Sequence, residues 1–345
     1  MDLLSFLMGV LSVLLISCAV IVGVAFRFRH LQSRLLYYPD SPEDSRSNCP
    51  TPRELGLHNS ERLEVLTHDG FALRGFSVFP PDCSPHVSSV GSSTAAMRHH
   101  SPRKADYIVV YFHGNAGNVS HRIPLAALIS EKLHCEVVMV DYRGYGLSDG
   151  QLPTEEGLKA DGESIVHFVV HQCPSAKIVL YGTSLGAAVA LDVAARPEHA
   201  SQIHSVIVEN TFTSISDMAD ILVIPLVHRR MRSAQRWVVP LFKHVLKPLV
   251  LFIGWWNITT IKSVKAPLLL LSSGRDEVVP SAQMHELRDA AVKAGTSKLV
   301  RFIEFPEGKH NDLYTKKGYV ECIADFLREA SLSVGGRRLA DSGVV

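Results

Sequence analysis

A serine stands between two glycines at Gly182-Thr183-Ser184-Leu185-Gly186, and its flanks decide what it can do. Ile178, Val179, Leu180 and Tyr181 form a short apolar run rich in β-formers, which predicts a buried strand. Leu185 to Ala195 is rich in Ala and Leu, which predicts a helix. A strand that turns at once into a helix holds the corner residue in a strained backbone conformation. Its side chain then stands above the sheet's end, beside a helix N-terminus. Gly182 and Gly186 allow the close backbone approach that such a corner needs. Gly-x-Ser-x-Gly also arises by chance in turns. Between a strand and a helix it is the setting of an activated hydroxyl nucleophile.

A neutral serine attacks poorly without a base, an orienting acid and donors for the oxyanion. Asp276 lies in Gly274-Arg275-Asp276-Glu277-Val278-Val279-Pro280, just past a predicted strand, and is the candidate acid; Glu277 competes but lies farther from the strand end. An ordinary turn or N-cap aspartate is the plain alternative for Asp276. His310, in Gly308-Lys309-His310-Asn311-Asp312, follows the last predicted strand and is the candidate base. In a chain with 17 histidines a surface-loop role competes, and chain order decides: serine, then acid, then histidine. The first oxyanion donor is the N–H of Leu185. The second is expected from the Gly-rich loop His113-Gly114-Asn115-Ala116-Gly117-Asn118 after an early strand, from Asn115 or else Ala116. Asp141 and Arg143, in Asp141-Tyr142-Arg143-Gly144-Tyr145-Gly146, are expected to structure a turn rather than supply the acid. This chemistry needs no cofactor and no metal.

The elements that must hold these residues alternate regularly. Leu63 to Thr67 and Phe71 to Phe79 predict a hairpin around His68-Asp69-Gly70. Strands are then expected near 107–112, 136–140, 178–181, 205–208, 267–271 and 299–305. Helices are expected near 123–133, 154–171, 185–195, 281–294 and 319–330. This is an α/β chain with a mostly parallel central sheet and helices on both faces. Residues of about 211–263 interrupt the alternation near the strands' carboxyl ends and predict a helical cap insertion. Within it, apolar Met218 to Val227 and Trp237 to Trp256 flank the basic run His228 to Arg236. Pro, Lys and His within the second run argue against a membrane span. A cap lying on a membrane surface and a cap packed as a lid remain two readings.

The chain has 345 residues with 35 Lys+Arg against 34 Asp+Glu, so no global basic field points to nucleic acid. Six cysteines are scattered without a Cys-x-x-Cys pair, which gives no sign of zinc or a dithiol redox site. Leu3 to Phe26 is apolar nearly throughout, and Asp2 is the only charge before it. Its length predicts a single N-terminal transmembrane helix, a signal-anchor rather than a cleaved signal. Arg27, Arg29 and Arg34 follow it and favour a cytosolic body by the positive-inside rule. Residues 1–30 are thus the anchor and its flank, 31–60 a juxtamembrane linker, 61–330 the catalytic domain and 331–345 a disordered tail. Pro80 to Lys104, with His99-His100, reads as a mobile surface insert. Asn118 and Asn257 begin glycosylation sequons, and the first is expected to stay unused because it lies in the Gly-rich loop.

From about Leu63 to Ala330 the chain resembles the α/β-hydrolase superfamily, and within it a group of membrane-anchored serine hydrolases. The likeness rests on HGNAGN (113–118), DYRGYGLSDG (141–150), GTSLGAAVA (182–190), ENTFTSI (209–215), GRDEVVP (274–280) and GKHND (308–312). The resemblance implies the α/β-hydrolase fold and assigns the triad to Ser184, Asp276 and His310. It implies cleavage of acyl esters or thioesters, lipid esterase-like or protein depalmitoylase-like. The partners would be a lipid bilayer and an acylated lipid or protein, at an endomembrane or the plasma membrane. It also implies a type II, non-cytosolic body, against the positive-inside reading. Ala187 stands where a second glycine often follows the motif, and the cap is enlarged around Leu222 to Val250. The competing class is a membrane adaptor that keeps the fold without catalysis.

Overall fold

The structure, a computed structural model, describes residues 28–83, 107–150, 152–231 and 233–340, with side chains only as far as residue 333. The apolar stretch of residues 3–26 and the insert of residues 84–104 lie outside the described residues. Among the described residues, no helix is long and apolar enough to cross a membrane.

Eight strands make one sheet: β1 Ser60–Leu66, β2 Ala72–Val78, β3 Tyr107–Phe112, β4 Glu136–Val140, β5 Lys177–Thr183, β6 Ile203–Glu209, β7 Leu268–Ser273 and β8 Val300–Phe305. Their order is β1-β2-β4-β3-β5-β6-β7-β8. β2 runs antiparallel to both neighbours, and β3 through β8 pair in parallel. β4, β6 and β7 are buried at every position, as are all but the first residue of β3 and β5. That is why these strands read as continuous apolar runs, whereas β1 alternates.

The principal helices are α1 Ile123–Leu133, α2 Glu155–Gln172, α3 Leu185–Ala195, α4 Ile215–Arg230, α5 Gln235–Leu241, α6 Ser281–Ala294 and α7 Tyr319–Ala340. Local chemistry sets several ends. Thr154 caps α2 by accepting from Gly157 N, with Glu155 and Glu156 in the first turn. His134 and Gly295 close α1 and α6 in the left-handed conformation. α7 runs ten residues beyond the expected end at Ala330. No proline stops it there, and Ser331 Oγ is held by Tyr107 Oη at 2.9 Å and His204 Nε2 at 3.1 Å.

The chain divides into two compact units. Residues 38–218 and 255–345 carry the whole sheet. The smaller unit holds residues 1–37 and 219–254. Within it residues 28–36 are helical, and α5 continues through a π-helical turn, Phe242–Leu246, into Lys247–Val250. The Gln32 side chain donates to Val250 O and accepts from Phe252 N at 2.9 Å, while Lys247 Nζ pairs with Asp220 Oδ1 at 2.7 Å. No residue of α4 or α5 is buried.

In the larger unit β3 is followed in sequence by β4 on one side, and the chain then crosses to β5 on the other. The loops leaving the carboxyl ends of β3 and β5 therefore start towards opposite sides, and such a point in an open α/β sheet is where ligands bind.

Candidate active site

Ser184 is the corner between β5 and α3, with φ 55 and ψ −118. Such a conformation costs a non-glycine residue about 1–3 kcal/mol and persists only where neighbours enforce it. Here the Ser184 N–H donates to Glu209 O at 2.8 Å, and Thr211 Oγ1 donates to Ser184 O at 2.8 Å. Both flanking glycines are sterically required. A Cβ on Gly182 would lie 2.2 Å from Gly186 O, and one on Gly186 would lie 2.0 Å from Phe112 O. The corner is thus pressed against its own helix start and against the end of β3. Leu185 opens α3, so its N–H belongs to the first-turn donors that have no acceptor within the helix.

Asp276 and His310 come from the loops after β7 and β8. His310 Nδ1 donates to Asp276 Oδ2 at 2.7 Å, and both side chains are almost wholly buried. The other carboxylate oxygen of Asp276 accepts from Val278 N and Val279 N, each at 2.8 Å. With Nδ1 donating, the neutral imidazole carries its lone pair on Nε2, the form a general base needs. Glu277 is exposed and, among the described residues, meets the backbone of this histidine alone, with Oε2 accepting from His310 N at 3.3 Å. The two candidate acids are therefore distinguished by geometry.

Asn115 lies in the loop after β3. A Cβ on Gly114 would lie 3.7 Å from Ser184 Cβ, so this loop borders the serine. His113, fully buried, donates from Nδ1 to Gly114 O at 2.8 Å. Burial pushes its pKa down to about 3, so the ring is neutral at ordinary pH. Tyr142 Oη donates to His113 O at 3.1 Å, and Tyr145 Oη lies 3.1 Å from Asn115 O and 3.0 Å from Asn115 Oδ1.

Asp141 accepts from Val119 N at 2.9 Å, and burial raises its pKa to about 7. Arg143 bonds Asp161 through both its backbone N and Nε at 2.8 Å and pairs with Asp69 at 2.6 Å. The Arg143 hydrogen bonds hold Asp69 down to about 2. Asp141 and Arg143 thus tie loops together. Among the described residues, Asp82, Cys83 and His134 form the one grouping with metal-ligand spacing, and it belongs to none of the loops above.

The profile of the alpha/beta hydrolase fold matches residues 107–226. Protein bem46 of Schizosaccharomyces pombe is 33% identical over 314 residues, covering 90% of this chain and 90% of its own. The chain belongs to the α/β-hydrolase superfamily. Alpha/beta hydrolase domain-containing protein WAV2 of Arabidopsis thaliana is 30% identical over 305 residues, with 87% of this chain and 88% of that one covered. An uncharacterized membrane protein of Saccharomyces cerevisiae is also 30% identical over 305 residues, with 87% and 90% covered. Among solved structures, an esterase from Pyrococcus furiosus superposes with a TM-score of 0.58 at 17% identity, covering 81% of this chain and 94% of its own.

Two positioning residues of this α/β-hydrolase were not singled out by sequence reasoning. Asn210, buried at φ 49, donates from Nδ2 to His310 O at 3.0 Å and to Ser273 Oγ at 2.8 Å, and accepts from Ser273 N at 2.8 Å. Thr211 holds the serine's carbonyl. One short segment after β6 thus joins the serine corner to the acid and histidine loops. The signal available was ENTFTSI (209–215), where polar residues follow an apolar strand without becoming a charged turn.

Proposed function

We propose that this chain is a membrane-anchored serine hydrolase that cleaves acyl esters or thioesters. The observation that carries the reading is the His310–Asp276 contact at 2.7 Å, on loops bound through Asn210 and Thr211 to the strained corner of Ser184. In the proposed reaction Ser184 Oγ attacks the acyl carbonyl while His310 Nε2 takes the hydroxyl proton. The tetrahedral oxyanion is stabilised by the N–H groups of Leu185 and Asn115. Its collapse breaks the bond to the alcohol or thiol, which leaves with the proton from His310. Water then attacks the acyl-enzyme, His310 accepts its proton and returns it to Ser184, and the carboxylic acid is released. Asp276 holds the imidazole tautomer throughout.

The membrane reading is supported by the apolar stretch of residues 3–26 and by the apolar side chains exposed beyond it. Phe28, Leu31 and Leu35 are exposed on the helical segment 28–36, and so are Leu222, Trp237, Leu241 and Leu249 of the same unit. Basic Arg229, Arg230, Arg236 and Lys243 lie among them in sequence, the mixture that suits an anionic lipid surface. The name of the S. cerevisiae relative agrees with this reading. A body held at a bilayer favours substrates with long acyl chains, on lipid or on protein.

The test uses full-length chain in detergent micelles, a fluorophosphonate probe, a short p-nitrophenyl ester and a palmitoylated peptide thioester. The wild type is expected to label and to hydrolyse at least one substrate. Ser184→Ala is expected to do neither while melting at a similar temperature, since Ala fits the corner wherever Ser does. Undiminished turnover by Ser184→Ala, or a wild type inert to probe and substrates alike, would refute the proposal.

A further inference from the structure

Across a trans peptide the C=O and N–H point in opposite directions, so fixing one fixes the other. This turns the loop of residues 113–118 into a series of planes, each with its own clamp. The plane carrying the Asn115 N–H is set by His113 Nδ1 on Gly114 O at 2.8 Å. The plane carrying the Ala116 N–H is set by Tyr145 Oη on Asn115 O at 3.1 Å.

The next clamps come from a different part of the chain, the segment before β1. Tyr38 pairs with Ala116 in an isolated parallel bridge. Gly117 N donates to Ser41 O at 2.7 Å. Asn118 Nδ2 donates to Ser45 O at 2.7 Å and Asn48 O at 3.1 Å, with Cys49 Sγ at 3.2 Å. Arg46 donates to Gly144 O, on the loop that supplies Tyr142 and Tyr145. Ser45 and Asn118 are buried. Residues 38–49, part of the stretch 31–60 expected from sequence to be a juxtamembrane linker, therefore fold as a series of turns against the Gly-rich loop.

We infer that residues 38–49 are a positioning strap that holds the oxyanion loop in its productive shape. The inference rests on the hydrolase reading of Ser184 and goes beyond it. The chain that leaves the membrane-proximal helix is then part of the catalytic apparatus, and a chain begun near Leu63 would lack it. A strap that merely closes the edge of the fold would affect melting but not the balance between kcat and KM.

Asn118→Asp separates these roles. Asn118 Oδ1 caps the following turn, accepting from Ser120 N at 2.9 Å and His121 N at 3.4 Å, and aspartate keeps that acceptor. Its second oxygen, in place of Nδ2, would face the carbonyls of Ser45 and Asn48 without a donor. In full-length protein we expect hydrogen exchange in a peptide covering residues 113–119 to rise at least about tenfold. We expect kcat on a short soluble ester and the rate of fluorophosphonate labelling to fall together, by roughly 10- to 100-fold. That is less than the 10²–10³ lost when an oxyanion donor is removed outright. KM should stay within about twofold, because the loop acts on the transition state.

Exchange that rises while both rates hold would overturn the inference, as would exchange that does not rise. If Asn118→Asp fails to fold, Arg46→Gln decides. A several-fold fall in kcat with KM retained upholds the strap, and an unchanged kcat overturns it. A wild type inert to the probe would instead sink the reading of Ser184, and the strap's role with it. That result is distinct from a reactive wild type indifferent to its strap.

Discussion

Replacing Asp276 by asparagine should be far more damaging than its near-isosteric size implies, and the structure says why. The carboxylate is held on both sides: one oxygen meets His310 Nδ1 at 2.7 Å and the other accepts from Val278 N and Val279 N at 2.8 Å. An amide has one acceptor end and one donor end. If its oxygen kept the two backbone N–H groups, its NH2 would donate to His310 Nδ1. The imidazole would then carry its proton on Nε2, where it cannot accept the serine's. The opposite flip would set the NH2 against two N–H donors, so the wrong tautomer is favoured. A tautomer fault of this kind lowers kcat by roughly 10⁴, about 5 kcal/mol of barrier. Glu277→Gln is the matched control. Its Oε2 accepts from His310 N at 3.3 Å, a contact that glutamine retains, so the rate should stay within about twofold. Steady-state hydrolysis of a short ester by the full-length variants measures both, with thermal melting to establish folding. A folded Asp276→Asn within tenfold of wild type, or a collapse on Glu277→Gln instead, would refute the assignment.

Gly186→Ala would force a Cβ to within 2.0 Å of Phe112 O, so it should destabilise the fold by about 3 kcal/mol or abolish expression; a melting temperature equal to wild type would refute the packing argument. Asp141 is a carboxylate that burial raises to about 7, so the folded state loses stability through this group as pH climbs from its unfolded value near 4 through about 7. Asp141→Asn keeps an acceptor for Val119 N and does not titrate. Its melting temperature should exceed wild type at about pH 8, with the gain shrinking towards about pH 4.5, and a pH-independent difference would argue against the buried charge. Changing Arg229, Arg230, Arg232 and Arg236 together to Gln should slow hydrolysis of long-chain substrates in anionic vesicles, each arginine contributing on the order of 1 kcal/mol near such a surface. The rate on a short soluble ester should hold, and high salt should mimic the variant. Equal loss on both substrates would make the arginines structural.

The alternation of strands and helices was legible in the sequence because a parallel sheet covered on both faces must be apolar along its whole length. β3, reading YIVVYF, and β4, whose VVMV follows the buried Glu136, meet that demand almost wholly by local composition. The corner at Ser184 was legible for a similarly local reason. Gly182 and Gly186 are needed where backbone meets backbone, and a strand before and a helix after are visible in composition. Chain order alone put Asp276 and His310 forward, but two carboxylates stood side by side in sequence. Nearness to the strand end favoured Asp276, and the turn after β7 supplies the contact itself, aiming Asp276 at Nδ1 and leaving Glu277 against the backbone. The polar run ENTFTSI (209–215) hinted at a role for Asn210 but not that it bolts β7 to the histidine loop, because its partners lie 63 and 100 residues away. The same holds for the strap. A run rich in Pro, Ser and Asp has no periodicity to read, and its carbonyls find Gly117 and Asn118 only once the sheet has brought the end of β3 beside them. Local periodicity and glycine sterics are written in the chain. Hydrogen bonds between segments tens of residues apart exist only after the sheet has fixed where its loops end.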